Sequence, residues 1–283
     1  MALDLVFSDI HADIDALDTI LEVATSDDFT KKYGSFDRII NLGDVLERGN
    51  HPREVLERLE SIKKNHPVVS VMGNHDEAFL YKRPVSGSSL ASWAAHAALK
   101  DDDLSFFSRN KDGTFGQQQF TDTKNSLLCV HGGPIDPAKI IPKDAYSDEI
   151  WLYQRTWQRL SEEGFEFFSY YGYNYLPSSA FDEGKNHLHN FVILCGHQHT
   201  EAAIIQNKEI NDIFDSLQVT REKLSKFVLE KREIDIDQSS NYLIRLGLSG
   251  PIGYYGVGSA KPHFGIVQYN PRKVSLFAVS KSL

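Results

Sequence analysis

The chain has 283 residues, 41% of them hydrophobic and 24% charged, which are ordinary globular values. Its formal net charge of −9 argues against a general binder of nucleic acid or anionic membranes, which needs a basic face. No window holds the roughly 18–20 apolar residues that span a bilayer. Residues 1–7 lack the basic flank and cleavage site of a signal peptide, so a cytoplasmic protein is expected.

The first elements alternate. Leu3–Ser8 reads as a buried strand, and Asp13–Ala24 as a helix with Ile14, Leu17, Ile20, Leu21 and Ala24 at helical spacing. Arg38–Leu42 is the second strand, Pro52 opens a helix through about Lys64, and Val68–Met72 is the third strand. This rhythm predicts parallel pairing with helices covering the faces. Ser88–Arg109 is predicted helical, with an acidic patch at Asp101–Asp103. Thr114–Thr121 and Ser126–Val130 read as an antiparallel pair turned at Asp122–Asn125, and Phe191–Cys195 as a buried strand.

Asn207–Arg232 is charged and predicted helical. Three strands follow, Tyr242–Leu248, Phe264–Tyr269 and Val274–Val279, with a turn at Asn270–Arg272. Late strands joined by short turns predict an antiparallel second sheet, hence a two-sheet α/β sandwich flanked by helices. Cys129 and Cys195 read as buried strand residues, not a disulfide. The simplest organisation is one domain over 1–283 with two insertions, an aromatic one at about 151–185 and a charged one at about 207–240. The aromatic insertion suits either a lid over a site or a satellite hydrophobic cluster.

Five polar segments follow apolar strands: Asp9-Ile10-His11, Gly43-Asp44 with Arg48-Gly49, Gly73-Asn74-His75-Asp76, His131-Gly132-Gly133 and Gly196-His197-Gln198-His199. Asp-x-His puts two side chains on one side of an extended segment. Carboxylate with imidazole suits iron, manganese or zinc, and the lack of thiolate argues against a structural zinc site. Asp44 could bridge a second ion, Asn74 offers a neutral oxygen, and His131, His197 and His199 could fill the remaining positions. His187 and His189 have ligand-like spacing in a polar loop. His51, His66 and His96 read as helix-end or surface residues.

The order D-x-H, G-D, G-N-H-D, H, G-H-x-H resembles the signature of the calcineurin-like metallophosphoesterases over residues 9–199. Leu246–Gly253 resembles that family's closing Gly/Ser turn. The resemblance implies a four-layer α/β/β/α sandwich of two mixed sheets and two divalent or trivalent ions (Mn2+, Fe2+/Fe3+ or Zn2+). Asp9, His11, His199 and bridging Asp44 would hold one ion; Asp44, Asn74, His131 and His197 would hold the other. It also implies a bridging hydroxide that attacks phosphorus in line. His75 is the candidate general acid, with Glu47 or Asp76 as the carboxylate that raises its pKa.

Gly43-Asp44-x-x-Glu47-Arg48-Gly49 resembles the segment of serine/threonine phosphatases and diadenosine tetraphosphate hydrolases whose arginine clamps a terminal phosphoryl group, a role suited to Arg48. Glu47 departs from the Asp usual in that branch, Ala12-Asp13 from its usual residues, and His199 is phosphodiesterase-like. The expected activity is phosphomonoester hydrolysis, of a phosphoprotein or small phosphorylated metabolite. The alternatives are a phosphodiesterase or dinucleoside polyphosphate hydrolase, and a catalytically silent scaffold. No stable nucleic-acid or membrane partner is expected, and the oligomeric state is open.

Overall fold

The computed structural model describes residues 3–251 and 261–282. The first half contains β1 (Leu3–Phe7), α1 (Ile14–Thr25), α2 (Asp27–Tyr33), β2 (Arg38–Asn41), α3 (Pro52–Lys63), β3 (Val68–Ser70), α4 (Asn74–Leu80), α5 (Leu90–Ala97), β4 (Gln119–Asp122), β5 (Leu127–Val130) and α6 (Pro137–Ile140). Then come β6 (Arg159–Leu160), β7 (Phe167–Ser169), β8 (Gly172–Tyr175), α7 (Pro177–Lys185), β9 (Val192–Cys195), β10 (Ala202–Gln206) and β11 (Ile210–Asp212). The last strands are β12 (Thr220–Lys223), β13 (Phe227–Asp235), β14 (Asn241–Arg245), β15 (His263–Tyr269) and β16 (Arg272–Lys281).

Two mixed sheets pack face to face, with strand orders β12-β13-β16-β15-β1-β2-β3 and β11-β10-β14-β9-β5-β4. The period-2 alternation of buried strands assigns each face. On β1, Leu3, Leu5 and Phe7 meet the helices, while Val6 turns to the second sheet. On β5, Leu127 and Cys129 face inward, and Leu128 and Val130 face the outer layer with Phe181 and Phe191. Cys129 and Cys195 are free and buried, as expected. The expected β-α-β-α-β start is present: β1, β2 and β3 are parallel, and Asp13 caps α1 by accepting the Ala16 N–H at 3.0 Å.

Three expectations need correction. The charged segment predicted as a helix over Asn207–Arg232 forms β11, a 3-10 turn, β12 and much of β13. Its charges pair across strands instead of along a helix: Arg221 lies opposite Glu230 and bonds it at 2.8 Å. Charge along an edge strand also guards it against further pairing. The late strands are divided between the sheets. β14 runs parallel to β9 in the second sheet, whereas β15 and β16 join the first. Finally, the helix predicted over Ser88–Arg109 stops at Ala97. The Asp103 carboxylate accepts the Lys100 N–H at 2.7 Å and starts a separate 3-10 turn at Asp101–Phe106.

The closing turn is described through Pro251; Ile252 and Gly253 lie outside the described residues. Ser249 N–H donates to Ser8 O at 3.1 Å and Gly250 N–H to Asp9 O at 2.9 Å, which brings this turn onto the Asp9 loop. At another edge of the sandwich, Arg38 bonds both oxygens of Asp4 at 3.1 and 2.5 Å and reaches Asp122 at 2.8 Å, tying β1 and β2 to β4 across the sheets.

Candidate metal centre

Each motif loop leaves a strand end and hydrogen-bonds to another. Asp9 N–H donates to Gly43 O and His11 N–H to Asp44 O, both at 2.9 Å, and Gly49 N–H reaches His11 O at 3.0 Å. Asp76, in the first turn of α4, accepts N–H groups from Asp44, Val45 and Leu46 at 2.9 Å and from Gly73 at 3.1 Å. A Cβ on Gly73 would collide with the Asp44 backbone and carboxylate, so this crossing requires glycine. Asp9, His11, Asp44, His197 and His199 all have φ between +47° and +69°. Such conformations cost non-glycine residues about 1–3 kcal/mol each and persist where surrounding bonds over-determine them.

Two clusters result. Asp9, His11 and His199 form one, and Asp44, His131 and His197 the other, each with its ligand atoms within 4.8 Å of one another. Asp9 Oδ1 lies 3.3 Å from His199 Nε2 and 4.0 Å from His11 Nε2. Asp44 Oδ2 stands between the clusters, 3.3 Å from His131 Nε2 and 3.7 Å from His11 Nε2. Asn74 Oδ1 joins the second set at 3.0 Å from His131 Nε2. The structure thus brings together all seven side chains anticipated as ligands.

The donor chemistry fits cations. His131 Nδ1 donates to Leu42 O at 2.7 Å, so the ring in its neutral, metal-binding form would turn an unprotonated Nε2 toward two oxygen acceptors, Asn74 Oδ1 and Asp44 Oδ2. His11 Nδ1 likewise meets Leu46 O at 3.2 Å, leaving its Nε2 opposite His199 Nε2 at 3.2 Å. Asp9 Oδ1, Asp44 Oδ2 and His197 Nε2 are buried without hydrogen-bond partners. Converging lone pairs with no donor between them suit a positive ion.

Electrostatics agree. Burial opposes charge on Asp9, but the His199 ring, 3.3 Å from its Oδ1, and the His131 ring hold its pKa down at about 2. Asp44 is also lowered, burial being outweighed by His131 and His75. Burial pushes His11 and His197 well down, toward the neutral form that binds metal. His131 goes the other way: despite burial, Asp44 and Asp9 push it up to about 9. Proton and cation compete for the same nitrogen.

Next to the clusters, Arg48 Nη2 lies 3.1 Å from His75 Nε2. This corrects the expected carboxylate partner of His75. Asp76 is occupied by the four backbone N–H groups, and Glu47 accepts from Ser88 Oγ at 2.6 Å. The His75 pKa is accordingly not raised; burial, with Arg48 adding to it, pushes it down to about 4. Burial and the Asp44 charge push Asp76 up to about 7, against its backbone donors.

Sequence reasoning missed two neighbours. His96, read as a helix-end or surface residue, does lie in the last turn of α5 but is buried, and it accepts the Glu47 N–H on Nε2 at 2.7 Å while Nδ1 meets Ser92 O at 2.8 Å. Arg159, from the aromatic insertion, is tied by Nε to Tyr171 O at 2.9 Å, close enough to Arg48, Asp44 and Asp9 to feel their charges. Its signal in the sequence was faint, one of two arginines, with Arg155, in an aromatic stretch. The insertion itself packs as a cluster, with Tyr153 stacked on Phe168 at 4.3 Å, while Phe165, Tyr170 and Tyr171 stay exposed. His187 and His189 lie outside both clusters.

With this geometry in place, the comparisons assign a class. The chain belongs to the calcineurin-like phosphoesterases, whose family model matches residues 5–201. It is a dinuclear metallophosphoesterase acting on phosphorylated substrates, with two divalent ions as cofactors. Solved structures share the fold at low identity. A metallophosphoesterase from Sphaerobacter thermophilus is 19% identical, with TM-score 0.54, covering 99% of this chain and 89% of that one. A hypothetical protein from Pyrococcus horikoshii OT3 is 15% identical with TM-score 0.54, covering 100% and 89%. A cold-active protein-tyrosine phosphatase from a psychrophilic Shewanella is 15% identical with TM-score 0.50, covering 95% and 76%. No curated protein matches the sequence. Among the described residues, no helix is long and apolar enough to cross a membrane.

Proposed function

We propose that the enzyme hydrolyses phosphomonoesters, of a phosphoprotein or a small phosphorylated metabolite. The observation that carries this reading is the Arg48–His75 pair, 3.1 Å apart beside the ligand clusters. Asp9, His11, His199 and Asp44 would hold one ion, and Asp44, Asn74, His131 and His197 the other. Carboxylate, amide and imidazole donors suit Mn2+, Fe2+/Fe3+ or Zn2+. Bound ions supply charge neutralisation at phosphate oxygens and a more acidic water.

The protein's own groups do the rest. The guanidinium of Arg48 offers two parallel donors to a terminal phosphoryl group, and in doing so leaves His75 Nε2. A dianionic phosphate beside His75 favours its protonated form, reversing the effect of burial and Arg48. His75 then gives a proton to the leaving oxygen. Asp76 and Glu47 act by position: Asp76 fixes the Asp44–Leu46 turn, and Glu47 anchors Ser88, whose Oγ accepts the Arg48 N–H at 2.9 Å. Arg159 adds a second positive charge facing the same space.

The test compares a chromogenic monoester and diester with Mn2+, in wild type and Arg48→Ala. The monoester should be preferred. Losing two charged hydrogen bonds of about 1.5–3 kcal/mol each should lower monoester kcat/KM about 100-fold or more. A diester preference, which the phosphodiesterase-like His199 would favour, overturns the monoesterase reading. Unchanged activity in Arg48→Ala overturns the clamp.

A further inference from the structure

We propose that the irregular segment from Gln154 to Leu160 is a brace for the second ligand set, and that Thr156 and Gln158 are positioning residues that tune metal affinity there without touching an ion. The inference rests on the ligand assignment above. That segment lies in the aromatic insertion, yet it bonds to the loop or helix that carries each of Asn74, His131 and His197.

The first contact is to α4. Thr156 Oγ1 donates to Glu77 Oε2 at 2.5 Å, while Gln118 Nε2 donates to the other oxygen at 2.8 Å. Glu77 sits on α4 one turn beyond Asn74, and its N–H bonds Gly73 O at 3.0 Å, so a shift of this turn moves Asn74. Second, Gly132 and Gly133, which follow His131, donate their N–H groups to Arg155 O at 3.2 and 3.0 Å. A Cβ on Gly132 would run into the Gln158 carbonyl. Gln158 seals this loop: its Oε1 accepts the Ile135 N–H at 2.9 Å, and its Nε2 donates to Ile135 O at 2.8 Å and Tyr153 O at 3.1 Å. Third, Leu160 exchanges two bonds with the Gln198 side chain, at 2.7 and 3.1 Å, and the Trp157 ring centre lies 6.4 Å from that of His197.

Thr156 and Gln158 are fully buried, so solvation does not explain them, and their polar groups serve these bonds. Asp9 and His11 are held differently, through Gly43, Asp44, Leu46 and the Gly250 turn. Separate supports predict separable effects. Outer partners that orient ligands typically contribute 10–100-fold in metal affinity.

The experiment is a Mn2+ titration of the purified full chain by calorimetry, in wild type, Thr156→Val and Thr156→Ser, with apo thermal unfolding measured on each. Thr156→Ala replaces the valine variant if that fails to fold. Wild type should bind two equivalents. The hydroxyl-deleted variant should bind one ion within about 2-fold of wild type and the other about 10–100-fold more weakly. Serine, which keeps the donor, should restore the second affinity. Two unchanged affinities, or an equal weakening of both, overturns the brace while leaving the ligand assignment intact. Fewer than two equivalents in wild type overturns both.

Discussion

The Asp44 N–H donates to Asp76 Oδ2 at 2.9 Å, so a carboxylate in the first turn of α4 fixes the residue whose Oδ2 stands between the two clusters. The same carboxylate accepts from Val45, Leu46 and Gly73. Asp76→Asn replaces one acceptor oxygen by an NH2 that faces N–H donors. Each stranded buried donor costs about 1–3 kcal/mol, so the variant should lose about 2–4 kcal/mol of urea-measured stability. It should also retain less metal after dialysis. Unaltered stability would remove Asp76 from this role.

His75 adjoins the clusters, but its Nε2 faces Arg48. His75→Asn should therefore keep its metal while kcat falls by roughly 10²–10⁴-fold, the usual weight of general acid catalysis. Metal analysis and turnover on the same preparation check this. Loss of metal would make His75 part of the metal support instead.

Arg159→Met keeps an unbranched apolar stem and removes the guanidinium, whose carbon lies 6.0 Å from the Tyr171 ring centre. If the charge attracts the substrate phosphate, KM for a monoester should rise about 10-fold with a smaller change in kcat, a loss of about 1.4 kcal/mol. Initial rates across substrate concentration separate the two constants.

Away from the site, burial tends to raise the Asp122 pKa, but hydrogen bonds from Asn125 and Arg38 hold it below its ordinary value. A carboxylate lowered in the folded state stabilises above its unfolded pKa of about 3.9 and loses that contribution as pH falls through the folded value. Asp122→Asn should thus be less stable than wild type by about 1 kcal/mol at pH 7. The gap should narrow as pH drops below about 4. Denaturation curves at pH 7, 5 and 3 follow it.

The clustering of Asp9, His11, Asp44, Asn74, His131, His197 and His199 was legible because these are hard or borderline donors placed where strands end. The parallel start was legible for a similar reason: short apolar runs alternate with amphipathic helices through α3. What failed did so through distant partners. Lys and Glu in 207–232 are good helix formers, but β13 pairs with β16, and that register decides the conformation. The two carboxylates expected at His75 have other partners, backbone N–H groups for Asp76 and Ser88 for Glu47. Thr156, Gln158 and His96 carry no local signal, since each acts on a residue at least 20 positions away.

The most direct measurement is the number of ions bound per chain after reconstitution of the purified protein with Mn2+, by elemental analysis, in wild type and Asp44→Ala. Two ligand clusters sharing the Asp44 carboxylate predict two equivalents in wild type and a loss of binding at both positions when Asp44 is removed. One equivalent or fewer in wild type, or two tightly held ions without Asp44, would contradict the shared centre.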